Sequence, residues 1–393
     1  MEIKGFSFSA VEAGIRYQDR LDLGLIYSDH PVVAAGALTT SLVKAAPVLI
    51  DIDRLEDGCA QAILVNSGCA NACTGEAGME VAFVTGELLA KELEIKPENI
   101  LLSSTGVIGE PLNVRAFRDN ISPLVQGLAP DNFEKVAQAI MTTDTVQKVC
   151  YHSVEIDGVD VHFMGMAKGA GMIMPNMATM LSFVITDAQI GSAQLKEALT
   201  PAVKKTFNRI TVDGDTSTND MVLVMANGGA QNSSIKSGTQ AAEDFQGALQ
   251  YVLMDLALKI VADGEGASKM ITIRVCGARE DAEAEQVART VANSSLVKTA
   301  FFGEDANWGR ILAAMGRAGV PFDPYQVDIS FGDVTLVRDG LAVGRSAEDT
   351  ATAILKEKEI TVCIDLKSGK CCEEVYTCDF SIDYVKINAD YRS

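Results

Sequence analysis

The sequence predicts an α/β (α+β) sandwich in which mixed sheets are covered by helices. Short apolar, β-branched runs recur along the whole chain, and segments with helical spacing of apolar residues lie between them. A length of 393 residues exceeds one ordinary core and points to two domains or a large two-layer unit.

Taken in chain order, strands are expected at 21–27, 62–65, 100–103, 161–166, 181–186, 221–225, 270–275, 327–331 and 360–364. Helical spacing joins Phe245, Ala248, Leu249, Val252, Leu256 and Ile260, and again Ala284, Val287, Ala288 and Val291. The polar Ser/Gly/Thr stretch 232–240 reads as an exposed loop. There is no internal repeat, low-complexity tract or Pro-rich linker, and no shift in composition marks a boundary. Any division of the chain has to come from chemistry.

Composition narrows the functional classes. Hydrophobic residues make up 48% and charged residues 22%, the range of a soluble globular protein. No run reaches the roughly 18 apolar residues of a membrane helix, and no apolar leader follows Met1, so a cytoplasmic protein is expected. A formal charge of −20 repels phosphate backbones and anionic lipid, which argues against nucleic-acid or membrane-surface partners. The cysteines number nine, an odd count that suggests reduced, buried or partly buried thiols. Cys69 with Cys73, or Cys371 and Cys372 with Cys378, do not give zinc spacing, and only His30, His152 and His162 could assist, so no metal is expected.

The chemistry concentrates in 168–187, Lys-Gly-Ala-Gly-Met-Ile-Met-Pro-Asn-Met-Ala-Thr-Met-Leu-Ser-Phe-Val-Ile-Thr-Asp. A glycine-rich turn and a proline precede Ala178 and Thr179, and an apolar strand follows at once. A chain break between Ala178 and Thr179 would set a new α-amine beside the threonine hydroxyl. Such an amine can take the hydroxyl proton, since its ordinary pKa of about 7.7 to 8.0 leaves a fair fraction unprotonated near neutrality. Lys168 within a few ångströms would lower it further. With three histidines in the chain, a base built on imidazole has little to draw on. The same pattern also suits a plain loop leading into a core strand, and Gly169-Ala170-Gly171 is too short for a dinucleotide fingerprint.

This segment resembles the self-processing segment of the ornithine acetyltransferase family, the glutamate N-acetyltransferases of arginine biosynthesis. Further blocks match in order: 5–15 (Gly-Phe-Ser-Phe-Ser-Ala-Val-Glu-Ala-Gly-Ile), 65–75 (Val-Asn-Ser-Gly-Cys-Ala-Asn-Ala-Cys-Thr-Gly), 212–220 (Val-Asp-Gly-Asp-Thr-Ser-Thr-Asn-Asp), 305–310 (Asp-Ala-Asn-Trp-Gly-Arg) and 384–393 (Tyr-Val-Lys-Ile-Asn-Ala-Asp-Tyr-Arg-Ser).

The resemblance implies a self-cleaving, N-terminal-nucleophile-like enzyme that splits into 1–178 (α chain) and 179–393 (β chain), with Thr179 as nucleophile in cleavage and catalysis. Acetyl would pass from N2-acetyl-L-ornithine to Thr179 and then to L-glutamate, a ping-pong sequence. By resemblance Thr105 and Gly106 form the oxyanion hole, in Ser103-Ser104-Thr105-Gly106-Val107-Ile108-Gly109 after the 100–103 strand. Read without it, that stretch is a polar turn.

Substrate contacts implied in the same way are Thr142, Lys168, Thr179, Glu265, Asn388 and Ser393. Their ordinary readings are a helix-end cap for Thr142, a solvated surface lysine for Lys168, an exposed loop glutamate for Glu265 and a frayed tail for the last two. Family likeness further implies an α2β2 heterotetramer and no cofactor, with acetyl-CoA an alternative acetyl donor in some members. Two other classes fit parts of the pattern: an amidohydrolase or aminopeptidase on the same scaffold, and an amino-acid-binding protein that never cleaves. Cys371 and Cys372 receive no role.

Overall fold

The structure, a computed structural model, describes residues 1–174 and 180–390. The chain forms two compact units, each assembled from separated segments. The first takes Met1–Gly169, 180–208 and Thr216–Ile260; the second takes Ala170–Met174, Arg209–Asp215 and 261–390.

The first unit is built on an eight-stranded sheet. Its strands are β1 (Phe6–Val11), β2 (Leu23–Leu38), β3 (Cys59–Asn66), β4 (Ile100–Ser104), β5 (Lys148–Ile156), β6 (Val159–Lys168), β7 (Leu181–Thr186) and β8 (Met221–Ala226). They run in the order β4-β3-β2-β8-β7-β6-β5, with β1 paired to β2. β3–β4 and β7–β8 are parallel and the other pairs antiparallel.

Helices α1 (Ala46–Arg54), α2 (Gly75–Leu93), α3 (Val114–Gln126), α4 (Phe133–Ala139), α5 (Ser192–Lys205) and α6 (Gln240–Ala262) accompany this sheet. Alternate residues of one strand go to different cores: Leu102 packs with Leu89 and Phe117, whereas Leu101 packs with Phe133 and Val136. α6 is long and apolar enough to span a bilayer. Here it is a core helix, because Phe245, Leu249, Val252 and Leu256 are fully buried. Gly165 on β6 permits the approach; a Cβ there would lie 2.7 Å from Val252 Cγ1.

The second unit carries β9 (Met270–Ala278), β10 (Asp328–Phe331), β11 (Val334–Arg338), β12 (Leu341–Ala342), β13 (Glu359–Asp365) and β14 (Cys371–Cys378) in the order β12-β11-β10-β13-β9-β14. Its helices are α7 (Asp281–Ala292), α8 (Ser295–Phe302), α9 (Trp308–Gly316), α10 (Arg345–Ile354) and α11 (Ile382–Ala389). Ile271, Ile273 and Val275 of β9 bury against Val287, Phe301 and Met315, while Arg274 between them is exposed. Both units match the expected class of mixed sheets covered by helices.

Two local expectations change. The expectation of reduced thiols throughout is corrected by a Cys276–Cys372 disulfide, Cα–Cα 4.0 Å apart. β14 shifts register against β9 between Cys371 and Glu373, which brings Cys372 opposite Cys276, a pairing that 96 residues of separation conceal in the sequence. Cys73, moreover, is exposed. Of the 232–240 stretch, 232–239 is a loop and Gln240 opens α6; the loop is not wholly exposed, because Asn232 is buried and its side-chain oxygen accepts Gln189 N–H at 2.8 Å.

Candidate active site

In the first unit the site-forming residues lie where strands of the large sheet end. β4 finishes at Ser104, and the chain then folds onto the turn that follows β3. Thr105 N–H donates to Asn66 O (3.0 Å) and Val107 N–H to Gly68 O (3.2 Å). Gly106 between them has φ +128°, and a Cβ would come within 2.3 Å of the Gly68 carbonyl carbon and 2.6 Å of Cys69 N. Only glycine fits there. Among the described residues no acceptor takes the Gly106 N–H.

Buried amides brace this turn. Asn66 Nδ2 donates to Cys69 O (2.9 Å) and Asn66 Oδ1 accepts from Ser104 Oγ (2.6 Å). Asn219 Nδ2 donates to both Ala70 O (2.6 Å) and Ser104 O (2.9 Å). Asn66 and Asn219 occur in blocks that the sequence singled out, but only the folded chain shows why an amide suits each position: it offers donors and an acceptor at once.

Lys168 closes β6, is 8% exposed, and its Nζ donates to Thr105 Oγ1 at 3.3 Å. The solvated-surface reading of this lysine is therefore excluded. Asp144 lies in the connection between α4 and β5. Its Oδ2 accepts Thr142 N–H (2.9 Å), and its Oδ1 accepts both Gly169 N–H (2.7 Å) and Lys148 Nζ (2.7 Å). Burial disfavours the Asp144 carboxylate, but the Lys168 and Lys148 ammoniums and these hydrogen bonds outweigh it and hold its pKa down to about 2. Thr142 is thus tied by its backbone N–H to Asp144, and α4 ends before it.

Asp220, the residue before β8, behaves oppositely. Burial pushes its carboxyl well above the ordinary range, against the pull of Ser217 and Lys168, and among the described residues its Oδ2 has no hydrogen-bond partner. Asp144, Lys148 and Asp220 were not picked out as site residues by the sequence.

The second unit holds a separate group. Past α6, Gly264 N–H bonds to Val261 O (3.1 Å) and Glu265 N–H to Ala170 O (2.9 Å). Glu265 is only 6% exposed, which rules out an exposed loop glutamate. Its carboxylate lies against Gly171, where any Cβ would sit 2.4 Å from both oxygens, and its Oε2 accepts Asn388 Nδ2 at 2.7 Å. α11 presents Asn388 from a helix whose start is capped: Ser381 Oγ accepts Asp383 and Tyr384 N–H. Asp213 accepts Met172 N–H (2.6 Å), Ile173 N–H (2.8 Å) and the Tyr384 hydroxyl (3.4 Å).

The structure therefore brings Thr105, Gly106, Thr142 and Lys168 into one network and joins Glu265 to Asn388 in another. Ala178, Thr179 and Ser393 lie outside the described residues.

A two-unit α/β protein with a hydroxyl, and a backbone N–H that no described residue accepts, beside a buried lysine is the kind of scaffold on which acyl transfer runs. The ArgJ family matches residues 7–393, and the chain belongs to that family. A relative from Geobacter sulfurreducens, named arginine biosynthesis bifunctional protein ArgJ, is 50% identical over 393 residues, covering 100% of each chain. A solved structure of arginine biosynthesis bifunctional protein ArgJ from Bacillus halodurans is 46% identical, with TM-score 0.52, covering 54% of this chain and 99% of that one. A chain of ornithine acetyltransferase from Mycobacterium tuberculosis, solved with ornithine, is 34% identical over 44% of this chain and 93% of its own, with TM-score 0.39.

Proposed function

We propose that this chain cuts itself between Ala178 and Thr179 and then carries acetyl from N2-acetyl-L-ornithine to L-glutamate on the Thr179 hydroxyl. In the first half-reaction the hydroxyl oxygen adds to the acetyl carbonyl while the α-amine takes its proton. The C–N bond then breaks, ornithine leaves with that proton, and acetyl-Thr179 remains. In the second, the amine of glutamate attacks the ester and the hydroxyl is restored. Thr105 hydroxyl and Gly106 N–H receive the oxyanion in both, each such donor being worth about a hundred- to a thousand-fold. Thr142 and Lys168 hold the substrate carboxylate; Glu265, Asn388 and Ser393 complete substrate binding.

The observation that carries this reading is the Gly106 N–H, held in a turn that tolerates no side chain and left without a described acceptor beside Thr105 and Lys168. Self-cleavage is also compatible with the sheet. Cutting after Ala178 leaves β6 paired with β7 and β2 with β8, so two ladders hold the fragments together. The Bacillus halodurans chain is matched over 99% of its length yet spans 54% of this one, as a single fragment would.

The wider reading adds an α2β2 assembly, a cytoplasmic location, and acetyl-CoA as a second acetyl donor, in line with the word bifunctional in the relatives' names. Replacing Thr179 with alanine is the test: intact mass should show one uncut chain, and acetyl exchange between acetylornithine and glutamate should vanish. Retention of either activity overturns the mechanism. Product analysis without glutamate separates transfer from hydrolysis.

A further inference from the structure

The charged pair Asp144 and Lys148 has no assigned part in the site, yet it sits beneath two residues that do. Both side chains are fully buried and 2.7 Å apart. A carboxylate offers about four lone-pair positions, and Asp144 gives three of them to Lys148 Nζ, Gly169 N–H and Thr142 N–H. These three donors belong to separate pieces of chain: the start of β5, the residue after β6, and the connection following α4. Gly169 directly follows Lys168, so the bond to its N–H determines where the Lys168 backbone leaves β6.

We infer that Asp144, with Lys148 as its counter-ion, is a positioning residue that fixes Thr142 and Lys168 relative to one another and so sets the register of the substrate carboxylate between them. Three of its acceptor positions are already taken by these donors, so its part is to hold them in place rather than to bind substrate. A buried ion pair adds little to stability over an apolar pair of similar size, whereas misplacing a substrate contact by about 1 Å costs on the order of a hundred-fold. The pair is accounted for by geometry better than by stability. This inference rests on the proposed roles of Thr142 and Lys168.

The test uses the full chain carrying D144N together with K148M, which removes both charges at once, and D144E, which keeps the pair and displaces the carboxylate by one methylene. Activity is followed with acetylornithine and with 4-nitrophenyl acetate, an activated acetyl donor that has no carboxylate. For a folded variant with an unchanged cleavage pattern, kcat/KM for acetylornithine should fall about a hundred-fold in the double variant and about ten-fold in D144E, mainly through KM. The acetylation burst with 4-nitrophenyl acetate should stay within about three-fold. Equal losses with both donors, or no loss in D144E, would overturn the inference. A wild-type chain unable to pass acetyl from acetylornithine to glutamate would instead sink the functional reading beneath it.

Discussion

The two sheets treat polar residues in opposite ways. In the first unit β4, β7 and β8 are buried at every position, and the polar residues Thr105 after β4 and Asp220 before β8 are buried with them. In the second unit β9 and β13 alternate buried and partly open positions, and polar side chains there turn outward. The same kind of ion pair therefore means different things. Asp144–Lys148 is 0% exposed on both sides, whereas Arg274–Glu374 across β9 and β14 is 46% and 30% exposed. Charge buried at the end of a covered sheet must be organised, and organised charge is what a catalytic site requires.

The sharpest way to break this contrast is to remove one partner of the buried pair. Asp144→Asn alone takes away the carboxylate that Lys148 faces and should cost about 3–5 kcal/mol in chemical denaturation. Adding Lys148→Met should recover most of it. A loss below about 1 kcal/mol for the single change would mean that the pair behaves like a surface pair. The pH dependence has a definite sign. The folded pKa of about 2 lies below the ordinary value, about 3.9 in an unfolded chain. The Asp144 contribution is thus complete above about pH 4 and fades as pH falls toward 2.

Thr105→Val comes next in size: it keeps the shape and deletes the hydroxyl that accepts from Lys168, so kcat should fall about a hundred- to a thousand-fold with little change in stability. Asp220→Asn sharpens the contrast from the opposite side. Its folded pKa is raised by burial, so its stabilising contribution is complete below about pH 4 and is lost as pH climbs through the folded value. The amide should flatten the alkaline side of the stability curve, measured by thermal unfolding across pH. An unchanged curve would show that Asp220 is not the group responsible.

The same contrast explains what could be read in advance. β7 and β8 announce themselves as unbroken apolar runs because both their faces are covered; the 181–186 run coincides with β7, Leu181–Thr186. β5 begins with a buried lysine and continues Val-Cys-Tyr-His-Ser-Val-Glu-Ile, and β14 contains Glu373 and Glu374, so neither looks like a core strand. β1 alternates phenylalanine with serine over too few residues to stand out. For the site, residue types show only a polar turn at Thr105–Gly106 and the family resemblance gives that turn its role, while the family blocks enclose Asn66, Asn219 and Asp220. Asp144 and Lys148 stayed hidden for a physical reason. In sequence they are an ordinary i, i+4 charge pair, the usual sign of solvent exposure; here they flank the start of a strand and are fully enclosed.

The smallest expected effect is also the control for the whole comparison. Arg274 Nε donates to Glu374 Oε1 at 2.5 Å on the open face of the second sheet, and both groups remain in touch with solvent. Water then supplies most of what the partner offers, and ordering two long side chains has an entropic cost, so the pair should contribute about 0–1 kcal/mol. Arg274→Gln should lower stability by no more than that, the deficit should shrink further in 1 M salt, and acetyl transfer should be unaffected. A loss of several kcal/mol, or a fall in activity, would mean that the outer face of this sheet is covered in the working protein and that its charges are organised like those of the first unit.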